Sequence, residues 1–279
     1  MSTNIVLNRT LLGLVEAGQL IRTNAIDWFS KKQTSIPFDF KQAGSIGPEM
    51  LMLHGLIGNA ANWDNVTNQL KKWSCTYSLN LPIANGFGED KSIHSLSNYA
   101  HKFVEQHHYQ KSIICGNSLG GHIALRMYLS NPSKVKALIL TGTSGLYEKG
   151  VGELSLRPTR QQIYDLMREV VYEEKHLKEE DIQHVESIVS NRHSFINLIR
   201  YAKSAKKDNL SKLLPQIKCP VLLIWGENDT ITPLDTAQKF NARIPNSKLV
   251  VLPKCGHAPM IEYPELFAYE VEKFVKSLE

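Results

Sequence analysis

The chain has 279 residues, of which 42% are hydrophobic and 21% are charged, and its formal net charge at pH 7 is +5. This length and composition are typical of an ordinary globular protein with one large domain, and they exclude a fibrous or low-complexity chain. Because the charge is modest and the lysines are spread along the chain, we expect neither a nucleic-acid-binding patch nor one for a membrane surface.

The N-terminal residues have apolar side chains at near-helical spacing, which predicts an amphipathic helix over 8–30. This helix either packs on the rest of the protein or binds a partner or membrane surface. Glu16 and Arg22 interrupt the apolar stretch, so it does not resemble a secretory signal peptide. No apolar run is long enough to span a membrane. The four cysteines form no CxxC pair, which suits a reducing compartment; two disulfides are the alternative. We therefore expect a cytoplasmic protein.

Strands and helices then alternate along the chain. Strands are predicted at 36–42, 50–53, 76–81, 113–117 and 135–140, with helices around 63–70, 96–107 and after residue 118. This alternation is typical of an α/β fold with a mainly parallel sheet and helices on both faces. Functional sites in such sheets lie at the carboxyl ends of the strands. His54, Ser118 and residues 141–144 follow predicted strands directly, so we expect the site there.

The pattern changes after Gly145. From 147 to 213 no strand is predicted, and charged helical segments occur instead at 160–172, 179–189 and 193–205. The sheet resumes with strands at 221–226 and 248–252, accompanied by helices at 234–241 and 264–278. We predict a helical cap over 147–213 that interrupts a core made of residues 1–146 and 214–279; the alternative is a longer helical excursion on one face of the sheet. Ile163 and Met167 are expected to face a pocket beneath this cap.

The turn around Ser118 has the pattern Gly-x-Ser-x-Gly between a strand and a helix. In this context the pattern indicates a nucleophile on a sharp turn. Side chains at Gly116 or Gly120 would clash with neighbouring backbone, which explains both glycines. Ser118 would also lie at a helix N-terminus, where unpaired N–H groups and the helix dipole favour a developing negative charge. By itself the pattern is equally compatible with an ordinary strand–loop–helix connection.

Three further motifs occur at strand ends, namely His54-Gly55, Gly226-Glu227-Asn228-Asp229 and Gly256-His257. With these motifs in this order, residues 36–279 resemble the α/β-hydrolase superfamily, of the type that has a serine nucleophile and a helical cap. The resemblance implies a catalytic triad in the order Ser…Asp…His. Two features depart from the family pattern: the N-terminal helix stands where many relatives have a first strand, and the loop 82–90 is longer than the usual turn.

The resemblance assigns a role to each motif. Ser118 would be the nucleophile, His257 the base that takes its proton, and Asp229 the carboxylate that orients His257. The backbone N–H groups of Leu119 and, by similarity to the family's loop after its early strand, Leu56 would form the oxyanion hole.

Other histidines and acids fit these roles less well. His54 is expected to shape the oxyanion loop, and His122 to pack beneath the sheet. Asp90 and Asp235 are weaker candidates for the acid because neither immediately follows a strand.

The leading functional prediction is hydrolysis of an ester, thioester or related acyl compound of small size. Epoxide hydrolases and haloalkane dehalogenases of this fold use aspartate where this chain has Ser118, which disfavours an alkyl-enzyme mechanism. Capped relatives with a Gly-Asn-Ser-x-Gly-Gly turn hydrolyse carbon–carbon bonds of dicarbonyl compounds, and residues 116–121 also fit that form. A third alternative is a member of the fold that binds a ligand without turnover. Neither a metal nor a cofactor is expected, since HExxH and GxGxxG motifs are absent. The sequence predicts neither the individual substrate nor the oligomeric state.

Overall fold

The computed structural model describes residues 37–107, 111–147 and 158–278. The helix predicted at 8–30 lies outside these ranges. Within them, seven strands form one sheet: β1 (Phe40–Ala43), β2 (Glu49–Leu53), β3 (Cys75–Leu79), β4 (Ser112–Asn117), β5 (Val135–Thr141), β6 (Val221–Gly226) and β7 (Ser247–Leu252). The first strand is shorter than the predicted 36–42, because only residues 40–43 pair with β3.

The strands are ordered β1-β3-β2-β4-β5-β6-β7 across the sheet. β1 pairs antiparallel with β3, and every other pair is parallel. The mainly parallel sheet predicted from the sequence is thereby confirmed. From β2 the chain first proceeds to β3 on one side and then crosses to β4 on the other. Such a reversal opens a crevice at the carboxyl ends of the two central strands, and those ends carry His54 and Ser118.

Nine α-helices occur in the described ranges: α1 (Asp64–Leu70), α2 (Ile93–Gln106), α3 (Leu119–Ser130), α4 (Arg160–Arg168), α5 (Glu179–Ser190), α6 (Arg192–Lys207), α7 (Leu234–Arg243), α8 (Pro259–Glu262) and α9 (Pro264–Lys276). Ser92 and Thr159 begin α2 and α4 with capping boxes, in which side chains satisfy the first free N–H groups. Of the helices in this part of the chain, none has the length and apolarity required to cross a membrane.

The central strands are apolar runs that are buried along almost their whole length. Helices cover both faces of a parallel sheet, so its strands have no solvent-facing side. On one face Met50, Met52 and Ile139 pack with Trp63, which directly precedes α1, and with Phe267 of α9. This packing holds the strand ends, and the loops that follow them, in fixed positions.

Helices α4, α5 and α6 lie between β5 and β6, and we call them the inserted helices. No strand occurs among the described residues from 158 to 213. The three helices share a small apolar core formed by Ile163, Met167, Ile182, Val185, Val189 and Phe195. The sequence predicts that the first helix extends to Tyr172, but α4 ends at Arg168. The Val170 N–H still bonds to the Met167 carbonyl of α4, but the Val170 carbonyl accepts from His257 and the Tyr172 N–H donates to Glu262.

The long loop at 82–90 is held by α6. The Tyr201 hydroxyl accepts a hydrogen bond from the Phe87 N–H (2.8 Å) and donates one to the Phe87 carbonyl (3.1 Å). Asn197 Nδ2 donates to the carbonyl of Ala84 (3.0 Å). This part of the core is therefore bound to the last of the inserted helices.

Candidate active site

Ser118 occupies the turn between β4 and α3 with φ = 54° and ψ = −117°. Positive φ is uncommon for a residue other than glycine and persists only where the surroundings hold it. Here the Ser118 N–H donates to the Thr141 carbonyl (3.0 Å), and the Ser118 carbonyl accepts from the N–H groups of His122 and Ser144 (both 3.2 Å). Hydrogen bonds on both sides of the residue thus fix the strained turn.

The glycines of this turn lie where other chain segments approach most closely. A Cβ atom at Gly116 would collide with the backbone of Gly120, and one at Gly120 would collide with the carbonyl of Leu53. The predicted clashes at both positions are confirmed. Because neither obstacle is a side chain that can rotate away, only glycine allows the first turn of α3 to come this close to the ends of β2 and β4.

Asp229 and His257 meet at the carboxyl ends of β6 and β7. His257 Nδ1 donates to Asp229 Oδ2 (2.9 Å), and Thr232 Oγ1 donates to the same oxygen (2.8 Å). Asp229 Oδ1 accepts from the N–H groups of Ile231 (2.9 Å) and Thr232 (2.8 Å). Burial acts to raise the pKa of the Asp229 carboxyl, but His257 and these hydrogen bonds hold that pKa below its ordinary value. Asp229 is therefore charged at neutral pH.

The backbone of His257 is also held by its neighbours. Its N–H donates to the carbonyl of Val170 (2.9 Å), and its carbonyl accepts from Asn117 Nδ2 (3.1 Å). Asn117 also reaches the carbonyl of Thr141 (3.3 Å), so its amide connects the Ser118 turn to the His257 loop. Gly142, with φ = 50°, faces the imidazole, and a Cβ atom there would come within 2.8 Å of the ring.

A cavity of about 330 Å³ lies over these strand ends and includes both Ser118 and His257 in its wall. Leu56 and Leu119 also line it. Their backbone N–H groups take part in none of the turn, loop or side-chain hydrogen bonds in the described part of the chain. The inserted helices and the segments next to them contribute apolar residues, namely Leu166, Met167, Val170, Val171, Leu177 and Ile199, and charged ones, namely Glu169, Asp181, Lys203 and Lys206.

His54 supports the loop that carries Leu56. Its Nε2 accepts a hydrogen bond from the N–H of Leu81 (2.9 Å), so the proton of the neutral ring is on Nδ1, which donates to the carbonyl of Gly55 (2.8 Å). Burial lowers the pKa of His54 to about 4. The neutral imidazole therefore fixes the backbone directly before Leu56.

The other candidate residues lie elsewhere. His122 is buried beside Asp208 (Nε2 to Oδ2, 3.0 Å). Asp90 accepts from the Ser92 hydroxyl (2.6 Å), and Asp235 pairs with Lys239 (2.7 Å), so both acids act in local surface interactions. The expectation that Ile163 faces the pocket is wrong, because this residue is buried in the core of the inserted helices. Met167, one turn further along, does line the cavity.

Two residues of the site were missed from the sequence. Thr232 bonds to Asp229 and also approaches His257 Nδ1 (3.3 Å). Aspartate side chains commonly close a turn by accepting from the backbone two residues further on, which is a signal for the turn after Asp229 but not for the Thr232 hydroxyl. Glu262 binds the backbone beside His257 (Gly256 N–H, 2.7 Å). Its position in the sequence, after two apolar residues, gives no indication of this contact.

Most of the chain is similar to known proteins. The model of the alpha/beta hydrolase family matches residues 50–271. Over 236 residues the chain is 28% identical to a pimeloyl-[acyl-carrier protein] methyl ester esterase of Nitrosomonas europaea, covering 79% of this chain and 93% of that protein. It is 26% identical over 268 residues to a 2-hydroxy-6-oxononadienedioate/2-hydroxy-6-oxononatrienedioate hydrolase of Pseudomonas putida, covering 88% and 93%. A solved α/β-hydrolase enzyme from the metagenome of lagoon sediments at Mar Chica, Morocco, is 31% identical with a TM-score of 0.71, covering 88% and 97%.

These relatives match the chain over most of their own length, and they are named as esterases and hydrolases. The alternative of a ligand-binding protein without turnover is therefore not retained. The family match covers well over half of the chain and includes the strands, turns and loops of the cavity. The chain belongs to the α/β-hydrolase family and is a hydrolytic enzyme.

Proposed function

We propose that the chain is a serine hydrolase that cleaves an ester, thioester or related acyl compound through an acyl-enzyme on Ser118. The observation that carries this proposal is the 2.9 Å hydrogen bond from Nδ1 of His257, which lines the same cavity as Ser118, to Asp229 Oδ2. A serine hydroxyl is a weak nucleophile until a base takes its proton. Neither a metal nor a cofactor is needed for this chemistry.

The proposed mechanism follows from the two ring nitrogens of His257. Because Nδ1–H donates to charged Asp229, Nε2 is the nitrogen that accepts the Ser118 proton as Oγ attacks the acyl carbon. Asp229 then stabilises the imidazolium that forms. His257 returns the proton to the leaving alcohol or thiol. Water, deprotonated in turn by His257, hydrolyses the acyl-enzyme and regenerates Ser118.

The oxyanion of the tetrahedral intermediate is assigned to the backbone N–H groups of Leu56 and Leu119. Both residues line the cavity, and neither N–H is used in a loop or side-chain hydrogen bond of the described residues. Fixed donors of this kind stabilise charge that develops in the transition state and commonly contribute about 2.7–4 kcal/mol each. The hydrogen bonds of His54 hold the preceding backbone in place for this role.

We further propose that residues 147–213 form a cap between two parts of the core, 1–146 and 214–279. The inserted helices have their own apolar core, and Met167 and Ile199 from them line the cavity. An acyl chain would lie against these apolar residues, so the cap would set the substrate range. All four cysteines are free thiols, which supports a cytoplasmic location.

Carbon–carbon bond hydrolysis of a dicarbonyl compound is the second candidate. Residues 116–121 have the Gly-Asn-Ser-x-Gly-Gly form, and the relative from Pseudomonas putida is named as a hydrolase of a dienedioate. Lys203 and Lys206 line the cavity together with Glu169 and Asp181, and either lysine would pair with a substrate carboxylate. Steady turnover of a dienone-type dicarboxylate, with much slower cleavage of simple esters, would favour this candidate.

Covalent labelling tests the nucleophile directly. A fluorophosphonate probe is expected to label the wild type, with the adduct mapped by peptide mass spectrometry to Ser118. The Ser118→Ala variant should lose both the label and ester turnover. Ser133→Ala, the same substitution at an exposed serine, should retain both. Labelling of Ser118→Ala at the wild-type level would refute the assignment. A panel of short and long acyl esters, thioesters and dienones then identifies the substrate class.

A further inference from the structure

We propose that Glu262 is a positioning residue, whose buried carboxylate fixes the His257 loop against the segment 170–173 that follows α4. This inference rests on the proposed role of His257 as the catalytic base. Glu262 is the last residue of α8 and is 5% exposed.

The two carboxylate oxygens of Glu262 bind two different parts of the chain. Oε1 accepts from the N–H of Gly256 (2.7 Å), directly before His257. Oε2 accepts from the N–H groups of Tyr172 (2.8 Å) and Glu173 (3.3 Å). Hydrogen bonds to an ionised acceptor are shorter and stronger than neutral ones. The side chain thus bridges the His257 loop and the segment 170–173.

The partners of this carboxylate are three backbone N–H groups and the Cys255 thiol (Sγ to Oε1, 3.7 Å), and no salt bridge among the described residues involves it. Burying a charge is costly unless its hydrogen-bonding capacity is met. Three N–H donors from two segments meet it here, and they do so only while both segments keep their present positions. The charge therefore favours one arrangement of the His257 loop against the segment 170–173.

Backbone contacts between the same two segments support this interpretation. The His257 N–H donates to the Val170 carbonyl (2.9 Å). A Cβ atom at Gly256 would lie 2.8 Å from the Tyr172 nitrogen, so the segments touch without room for a side chain. Val170 and Val171 also line the cavity. A shift of these two segments would move the catalytic base and part of the cavity wall together.

Kinetics of Glu262→Gln separate positioning of His257 from simple support of the segment 170–173. The amide has one acceptor oxygen and turns its NH₂ group toward backbone N–H donors, so one of the two connections is lost. Misplacement of a catalytic group by about 1 Å can cost about 10²-fold in rate. We expect kcat to fall about 10²-fold for both a short and a long acyl ester, with the KM for the short ester near wild type. Fluorophosphonate labelling of Ser118 should slow in parallel.

Two controls distinguish positioning from a general loss of stability. Glu265→Gln makes the same change at an exposed residue in the first turn of α9 and should leave kcat unchanged. Phe267→Leu lowers stability through a fully buried residue of the main apolar core, and at a comparable fall in Tm it should retain most of its kcat. Should Glu262→Gln not fold, Glu262→Asp serves instead, because its shorter carboxylate keeps the charge and reaches only one segment.

Wild-type kcat in the folded Glu262 variant overturns the proposal, and so does a loss of kcat that Phe267→Leu reproduces. A rise in KM for the long ester alone would show that Glu262 acts on the cavity wall without positioning His257, and would also overturn it. Absence of turnover and labelling in the wild type is a different result, because it refutes the proposed function itself.

Discussion

Single residues at the strand ends carry most of the proposed chemistry, and Asp229 is the most constrained of them. It accepts four hydrogen bonds, from two backbone N–H groups, a threonine hydroxyl and an imidazole. No acceptor capacity remains for another partner, so both the position and the charge of the carboxylate are fixed. This arrangement sets the orientation of the His257 ring.

The first prediction concerns this carboxylate. Asp229→Asn should lower turnover by orders of magnitude, about 10⁴-fold as in the well-studied serine proteases, because an amide favours the wrong imidazole tautomer. Asp235→Asn, at an exposed acid that pairs with Lys239, is the matched control and should retain full turnover. Steady-state kinetics on one ester measure both. Near-wild-type rates in Asp229→Asn would mean that another carboxylate orients the base.

The second prediction concerns the pH dependence of stability at His54. An unfolded histidine binds a proton below about pH 6.5, whereas buried His54 does so only below about 4. Between these values the unfolded state binds more protons, so the free energy of unfolding falls as the pH is lowered, by up to about 1.4 kcal/mol for each pH unit. His54→Gln removes this titration, and its stability should depend less on pH in this window.

Urea unfolding at several pH values between 4 and 7 compares the two proteins. The pKa of buried His122 is lowered as well, but it titrates in both proteins and cancels in their difference. Parallel stability curves for wild type and His54→Gln would contradict the assigned protonation state of His54.

At the scale of elements, some apolar residues of the inserted helices pack between these helices, and others face the cavity. Ile163 and Met167 lie four residues apart in α4, on the same apolar side of the helix. Only Met167 lines the cavity. The sequence pattern does not distinguish the two positions, because the depth at which each is buried depends on how α5 and α6 pack against them.

The third prediction uses this pair. Met167→Ala widens the cavity and should shift the ratio of kcat/KM values toward longer acyl esters. Ile163→Ala leaves a void in the core of the inserted helices, with a loss of stability of roughly 2–5 kcal/mol and an unchanged chain-length preference. Kinetics on an ester series and thermal unfolding together check both outcomes. An equal shift in preference for both variants would argue against the cavity wall described here.

Features set by the local sequence are predicted well, whereas features set by tertiary contacts are not. The central strands are predicted closely because β4 and β6 contain apolar runs that end at turns. The end of α4 is misplaced because the apolar spacing continues through Val170, while the Val170 carbonyl accepts from His257. Sequence motifs locate Ser118, Asp229 and His257 at strand ends. The contacts of Thr232 and Glu262 depend on side-chain packing and tertiary hydrogen bonds, which the spacing of apolar residues does not predict.

On the scale of the whole molecule, the end of the inserted helices is tied to the helix that follows Ser118. Asp208, directly after α6, accepts from Arg126 Nε (2.6 Å), from Arg126 Nη2 and from His122 Nε2 (3.0 Å). Burial acts to raise the pKa of Asp208, but His122 and Arg126 hold it well below its ordinary value. This ionic contact joins the end of α6 to α3, although the two helices lie far apart in the sequence.

The fourth prediction is the loss of this contact in Asp208→Asn. Removing one partner of a mostly buried ion pair leaves the other charge unpaired, so we expect a loss of roughly 3 kcal/mol in the free energy of unfolding at pH 7. Because the pKa of Asp208 is depressed in the folded state, its stabilising contribution is complete above about pH 4 and is lost as the pH falls through the folded value. The difference from wild type should therefore be smaller at pH 3.

Urea unfolding at pH 7 and pH 3 measures this difference. Asp64→Asn, which breaks the exposed Lys41–Asp64 pair, should change stability by less than about 1 kcal/mol. A change in Asp208→Asn as small as in this control would show that the buried ion pair contributes little.

The anchoring of the inserted helices at two points limits how this fold can be recombined. Glu262 binds the backbone directly after the first of these helices, whereas His122 and Arg126 bind Asp208 directly after the last. All three residues lie outside 147–213. A chimera that receives only this segment from another hydrolase would place the Glu262 carboxylate and the Arg126 guanidinium against a segment that did not evolve with them. A transfer of this segment that keeps these contacts must therefore exchange positions 122, 126 and 262 as well.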